Sequence, residues 1–205
     1  MVLMAIVLYG CTSSPTPDPS IAWSDDFEDG NTEGWERYQN VNISVNEGVL
    51  TSGANSGAIW HESSVSNGTW SFDVFIPEKN GKTNGISFIA SQLDTEGGTS
   101  IWVLLENQSS TLLELGYWTG VSDSETTADS VTIKENEKIS GWHHIDITKE
   151  NNGTTKVYFD GEMYLDTIID LPYQSDAFLY EFYAEGPILD NVVVRNQVID
   201  IQPAE

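Results

Sequence analysis

Apolar residues recur at a period of two. Trp70, Phe72, Val74 and Ile76 alternate with Ser71, Asp73 and Phe75, which puts four large apolar groups on one face of an extended segment. Residues 86–90, 101–105 and 112–118 continue as further apolar runs of strand length, and no window of about twelve residues carries a helical stripe. Between the runs stand polar, glycine-bearing pairs such as Asn80-Gly81, Gly97-Gly98, Asn152-Gly153 and Asp160-Gly161, which supply the positive φ that tight turns need. Lys156-Val157-Tyr158-Phe159, then Asp160-Gly161, then Met163-Tyr164-Leu165 spell a hairpin, and residues 177–183 and 188–194 close the series. About a dozen short strands predict an all-β fold of two packed antiparallel sheets.

The chain has 205 residues, which one such sandwich at residues 21–196 accounts for, with a short tail at residues 197–205. Seven Trp, eight Tyr and seven Phe supply the mass of a core. Charge is lopsided: 32 acidic residues against 8 basic ones leave a formal net charge of −24. Binding to nucleic acid or docking on an anionic membrane surface would need the Lys and Arg clusters that this composition lacks. Dense carboxylates suit a high-salt habitat or a surface that collects divalent cations.

Residues 2–9 form an apolar run too short to span a bilayer and of signal-peptide length. It ends in Leu8-Tyr9-Gly10-Cys11, which resembles the lipobox of prokaryotic lipoproteins, and Cys11 is the only cysteine. The resemblance implies a leader at residues 1–11 with lipidation at Cys11. Residues 12–20, rich in Pro, Ser and Thr, then read as a tether, placing the domain on the extracellular face of the membrane. With no second cysteine, the fold has no intramolecular disulfide. Four glycosylation sequons begin at Asn42, Asn67, Asn107 and Asn152.

Two motifs carry a family resemblance. Trp142-His143-His144-Ile145-Asp146-Ile147 followed by Lys156-Val157-Tyr158-Phe159-Asp160-Gly161 resembles paired strands of laminin-G-like and concanavalin A-like domains. The opening Asp25-Asp26-Phe27-Glu28-Asp29-Gly30 and the closing Ile188-Leu189-Asp190-Asn191-Val192 resemble the first and last strands of carbohydrate-binding jelly rolls and laminarinase-like glycosidases. The resemblance implies a concanavalin A-like jelly-roll sandwich in which these strands lie side by side and hold a structural calcium through Glu28, Gly30 and Asp190, with Asp26 a further candidate. Hard oxygen ligands are what calcium takes. The alternative for residues 25–29 is a set of turn and capping residues on a solvated edge.

The Glu-x-Asp-x-Glu strand by which the glycosidase relatives place their carboxylates is absent; Glu106, Glu114, Asp166 and Asp170 do not reproduce it. No catalytic residue is assigned. His143 and His144 point to opposite faces of one strand and read as packing or hydrogen-bonding residues. Exposed indole and phenol faces stack on sugar rings, so Trp60, Trp102, Tyr117 and Trp118 are the candidate glycan platform. The expected function is noncatalytic binding of a glycan or cell-surface partner, supported by calcium. A self-assembling surface subunit and a glycan-active enzyme with an unrecognised site are the alternatives.

Overall fold

The computed structural model describes residues 18–38, 41–79, 81–91, 98–119, 125–134, 139–171 and 174–201. Cys11, the lipobox and residues 12–17 of the tether lie outside the described residues, as do Asn80 and Gly97 of the anticipated turns.

Fifteen strands occur among the described residues. They are β1 (Ile21–Asp25), β2 (Trp35–Tyr38), β3 (Ile43–Asn46), β4 (Val49–Ser52), β5 (Gly57–Glu62), β6 (Gly68–Ile76), β7 (Gly81–Ser91) and β8 (Thr99–Asn107). There follow β9 (Thr111–Trp118), β10 (Thr126–Lys134), β11 (Gly141–Lys149), β12 (Thr154–Phe159), β13 (Glu162–Ile168), β14 (Ala177–Phe182) and β15 (Gly186–Arg195). One sheet has the order β13-β12-β11-β6-β15-β4-β3, with β1 also beside β15; the other runs β10-β9-β8-β7-β14-β5-β2. Every pairing among the described residues is antiparallel, and the two sheets that the alternation predicts form the jelly-roll sandwich that the resemblance implies.

The core lies between the sheets. Trp70, Phe72, Val74 and Ile76 of β6 are fully buried and meet Phe88 of β7 and Phe178 of β14, with Trp70 edge-on to Phe88 and Phe72 edge-on to Phe178. Each inward residue alternates with one on the outer face, because a strand turns successive side chains to opposite sides. Tyr180 carries a polar group into the core: its hydroxyl reaches Asn84 Oδ1 and the Ile188 carbonyl, and burial raises its pKa.

The last and first strands pair as the resemblance implies, with Asp25 opposite Val192 and Ser24 opposite Val193. A chain reversal at Asp160 (φ 50°) and Gly161 (φ 78°) joins β12 to β13 at the anticipated hairpin. Residues 197–199 are fastened down instead of trailing as a tail. The buried Thr69 hydroxyl donates to the Gln197 carbonyl and accepts from the Ile199 amide, at 3.1 and 3.0 Å.

Candidate functional site

A cleft of about 620 Å³ opens on the outer face of the β10-to-β2 sheet. Ile59, Ile101, Val103 and Tyr180 point inward and are fully buried, so Trp60, Trp102 and Glu181 face out from the same strands. Cross-strand pairing sets these side chains in rows. Trp102 pairs with Ser87, Ser87 with Leu179, and Leu179 with Trp60. The next row is Leu104, Gly85, Glu181, Ala58 and Tyr38, and both rows line the cleft. Trp118, paired with Ser100, adds a third indole to the lining.

Two glycines shape this surface. A Cβ at Gly116 would stand 2.3 Å from Trp102 Cζ2, which shows the indole laid over β9, where only glycine leaves room. At Gly85 a Cβ would meet Glu181 Oε2 at 3.2 Å, so the missing side chain leaves the carboxylate its place on the floor. Trp102 Nε1 is buried with no hydrogen-bond partner.

Charged groups share the lining. Glu125, Glu181 and Lys82 line the cleft, and the Tyr183 hydroxyl donates to Glu181 Oε2 at 2.8 Å. Burial first, then the charges of Glu181 and Glu125, push the Tyr183 pKa up, so this phenol remains a donor. Lys79 donates to the Tyr183 carbonyl and lies 5.6 Å from the centre of its ring.

Three of the four platform residues anticipated from sequence, Trp60, Trp102 and Trp118, line this one cleft. Tyr117 does not. It pairs with the fully buried Ile101, faces inward and packs against the core, the strand having turned its neighbour Trp118 outward.

A second cluster lies where the terminal strands meet. Asp190 lies opposite Asp73 across β15 and β6, beside a bulge that carries Asn191 at φ 49°. Burial raises the Asp190 pKa, the Asn191 amide lowers it, and the charges of Asp73, Glu28 and Asp26 raise it again. Glu28 reaches the β3–β4 turn, with Oε1 2.7 Å from where a Cβ on Gly48 would sit. Gly30 takes a positive φ of 77° and donates its amide to the Phe27 carbonyl. Asp26 accepts from the Glu28 amide at 3.3 Å, a capping role in keeping with the solvated-edge alternative. Among the described residues, no group of three or more His, Cys, Asp or Glu side chains is arranged to hold a metal ion.

Sequence reasoning missed Asp73, and offered Asp25 only as a turn or capping residue. Asp25 accepts from the Phe27 amide and from Trp35 Nε1, both at 2.8 Å, and so fastens the opening loop. Asp73 accepts from Asn191 Nδ2 at 2.8 Å and pairs with His144 Nδ1 at 2.6 Å, while His144 Nε2 lies 3.3 Å from Asp146. The role of Asp73 had no signal, because it depends on strands distant in sequence, whereas Asp25 bonds to groups two and ten residues away.

His143 and His144 do face opposite ways. His143 stacks on Phe159 and pairs with Asp160 at 2.8 Å, whereas His144 lies on the outer face between its two carboxylates. Of the sequons, Asn42 and Asn152 are exposed, and Asn67 is half-buried and accepts from Lys149 Nζ at 3.0 Å. Asn107 is corrected to a structural residue. It is fully buried, its amide nitrogen donates to the Ile139 carbonyl at 2.8 Å, and its oxygen accepts from Thr111 at 2.7 Å. A glycan has no route to that nitrogen in the folded chain.

Residues 22–189 match the family described as the 3-keto-alpha-glucoside-1,2-lyase-like domain. The chain belongs to that family. No curated protein matches it. Among solved structures, this lyase-like domain is similar to the carbohydrate-binding module CBM66 from Bacillus subtilis, with a TM-score of 0.62 and 16% identity over 80% of this chain and 97% of that one. It is similar also to the Bacillus licheniformis beta-glucanase, with a TM-score of 0.60 and 16% identity over 88% of this chain and all (100%) of that one. The carbohydrate recognition domain of Emp47p gives a TM-score of 0.65 at 16% identity, over 89% and 100% of the two chains. At such identities the likeness is one of fold, and this fold hosts binders and enzymes alike.

Proposed function

We propose that this chain is a noncatalytic carbohydrate-recognition domain that takes a glycan in its indole cleft. The observation that carries the reading is the convergence of Trp60, Trp102 and Trp118 on one cleft whose floor is kept low by Ser87, Gly85 and Ala58. Apolar ring faces match the C–H-rich faces of sugars, and the surrounding carboxylates and hydroxyls take their OH groups. A carbohydrate-binding module and a carbohydrate recognition domain stand among the similar folds, which agrees with this reading. Titration calorimetry of the wild type and Trp102→Ala with a panel of oligosaccharides tests it. Binding that the substitution weakens about fivefold or more supports the cleft, since an aromatic contact contributes roughly 1 kcal/mol. Binding that ignores Trp102 sinks it.

Catalysis is the second reading, favoured by the family description and by Glu181, hydrogen-bonded to Tyr183 beside Glu125 in the same cleft. A carboxylate and a protonated phenol are the types of group that move protons at a sugar. Product formation from a bound oligosaccharide, lost in Glu181→Gln, would replace recognition by catalysis.

Structural calcium and a lipid anchor at Cys11 complete the proposal, with the domain on the extracellular face of the membrane. The negative charges around Asp190 suit a hard cation. Carboxylates of Asp190, Glu28 and Asp26 would hold it, with carbonyls near Gly30 making up the shell that three side chains alone do not form. Calcium there would supply charge neutralisation and a tie between the terminal strands.

A further inference from the structure

We propose that the cleft takes an uncharged glycan chain longer than a disaccharide, laid across the strands, and rejects glycans that carry carboxylate or sulfate. This rests on the recognition reading above and assigns it a ligand class.

Length comes from the register. Trp102 on β8 and Trp60 on β5 occupy one cross-strand row, with Ser87 of β7 and Leu179 of β14 between them. Three strand spacings of about 4.8 Å separate the two Cα positions by roughly 14 Å. The Trp102 ring lies toward Gly116, on the side away from Trp60, which widens the span further. No single sugar ring covers that distance, so a ligand that uses both indoles must be a chain running across the sheet. The row between them carries a small hydroxyl and one aliphatic side chain, which leaves that path open.

Charge selection comes from the lining. Glu125 and Glu181 share the described lining with one cation, Lys82, within a chain whose formal net charge is −24. Glu181 keeps one oxygen on the Tyr183 hydroxyl, which leaves the other to accept from a sugar OH. An anionic sugar placed over these carboxylates meets repulsion in a cleft walled by indoles, where charges are less screened than in bulk water.

The experiment is calorimetric titration of the full chain with neutral gluco- and xylo-oligosaccharides, from disaccharide to hexasaccharide, and with oligogalacturonates of the same lengths. The expected result is an affinity that rises roughly tenfold beyond the disaccharide, a rise that Trp60→Ala abolishes. Oligogalacturonates should bind at least tenfold more weakly at low salt, and added salt should narrow the gap. Affinity already maximal at the disaccharide, a length dependence that survives Trp60→Ala, or equal binding of oligogalacturonates would each overturn the inference while leaving glycan recognition standing. If no oligosaccharide binds the folded protein, the recognition reading itself fails and takes this one with it.

Discussion

His144 sits with each ring nitrogen facing a carboxylate, and the Ser71 hydroxyl donates to the second of these, Asp146, at 2.5 Å. The hydrogen bond to Asp146, then that to Asp73, outweighs burial and raises the imidazole pKa from 6.5 to about 10. Burial opposes ionisation of Asp73, but its bonds to His144 and Asn191 together hold it below the ordinary value. A raised histidine stabilises the fold fully below its unfolded pKa of 6.5 and loses that contribution as pH climbs toward 10. The side chain is 43% exposed, so solvent screening reduces the effect to about 1 kcal/mol. Urea unfolding across pH 6 to 10 should show that decline in the wild type, and His144→Gln should remove it. A single residue also controls the platform: Gly116→Ala would drive a Cβ into Trp102 and the Thr126 carbonyl. It should cost about 1–3 kcal/mol and weaken oligosaccharide binding together, measured by melting and titration of the same sample.

At the scale of elements, the β12–β13 hairpin is the clearest passage from sequence to structure. Asp160-Gly161 takes the left-handed conformation at both turn residues, and Asp160 then accepts from the His144 amide and pairs with the His143 ring. The turn residue thus holds the Trp-His strand as well as its own hairpin. Gly161→Ala should destabilise the fold by about 1 kcal/mol in denaturant titration, since L residues resist φ near 78°. Strand β10 was not foreseen, because it lies at an edge, is largely exposed and offers little apolar alternation to read. The short strands β2 to β5 were likewise hidden, being only four to six residues long.

At the scale of the whole molecule, the ends of the chain decide stability. β15 pairs with β6 on one side and with β1 and β4 on the other, so the last strand joins the first to the centre of its sheet. A cation near Asp190 would relieve the repulsion among Asp190, Asp73, Glu28 and Asp26 and tie these strands together. The melting temperature should rise with millimolar calcium, fall back with chelator, and cease to respond in Asp190→Ala. A midpoint indifferent to calcium in the wild type would leave the acidity to be explained by salt alone. Local alternation and turn chemistry were enough to determine two sheets, their apolar faces and the main hairpin, since both act between residues near in sequence. They also showed that Tyr117 and Trp118 face opposite ways. Which of the two met solvent was decided by tertiary packing, as were the burial of Asn107 and the rows of the cleft. Register between strands distant in sequence, such as β7 with β14 and β1 with β15, is a property of paired surfaces, and no single stretch of the chain encodes it.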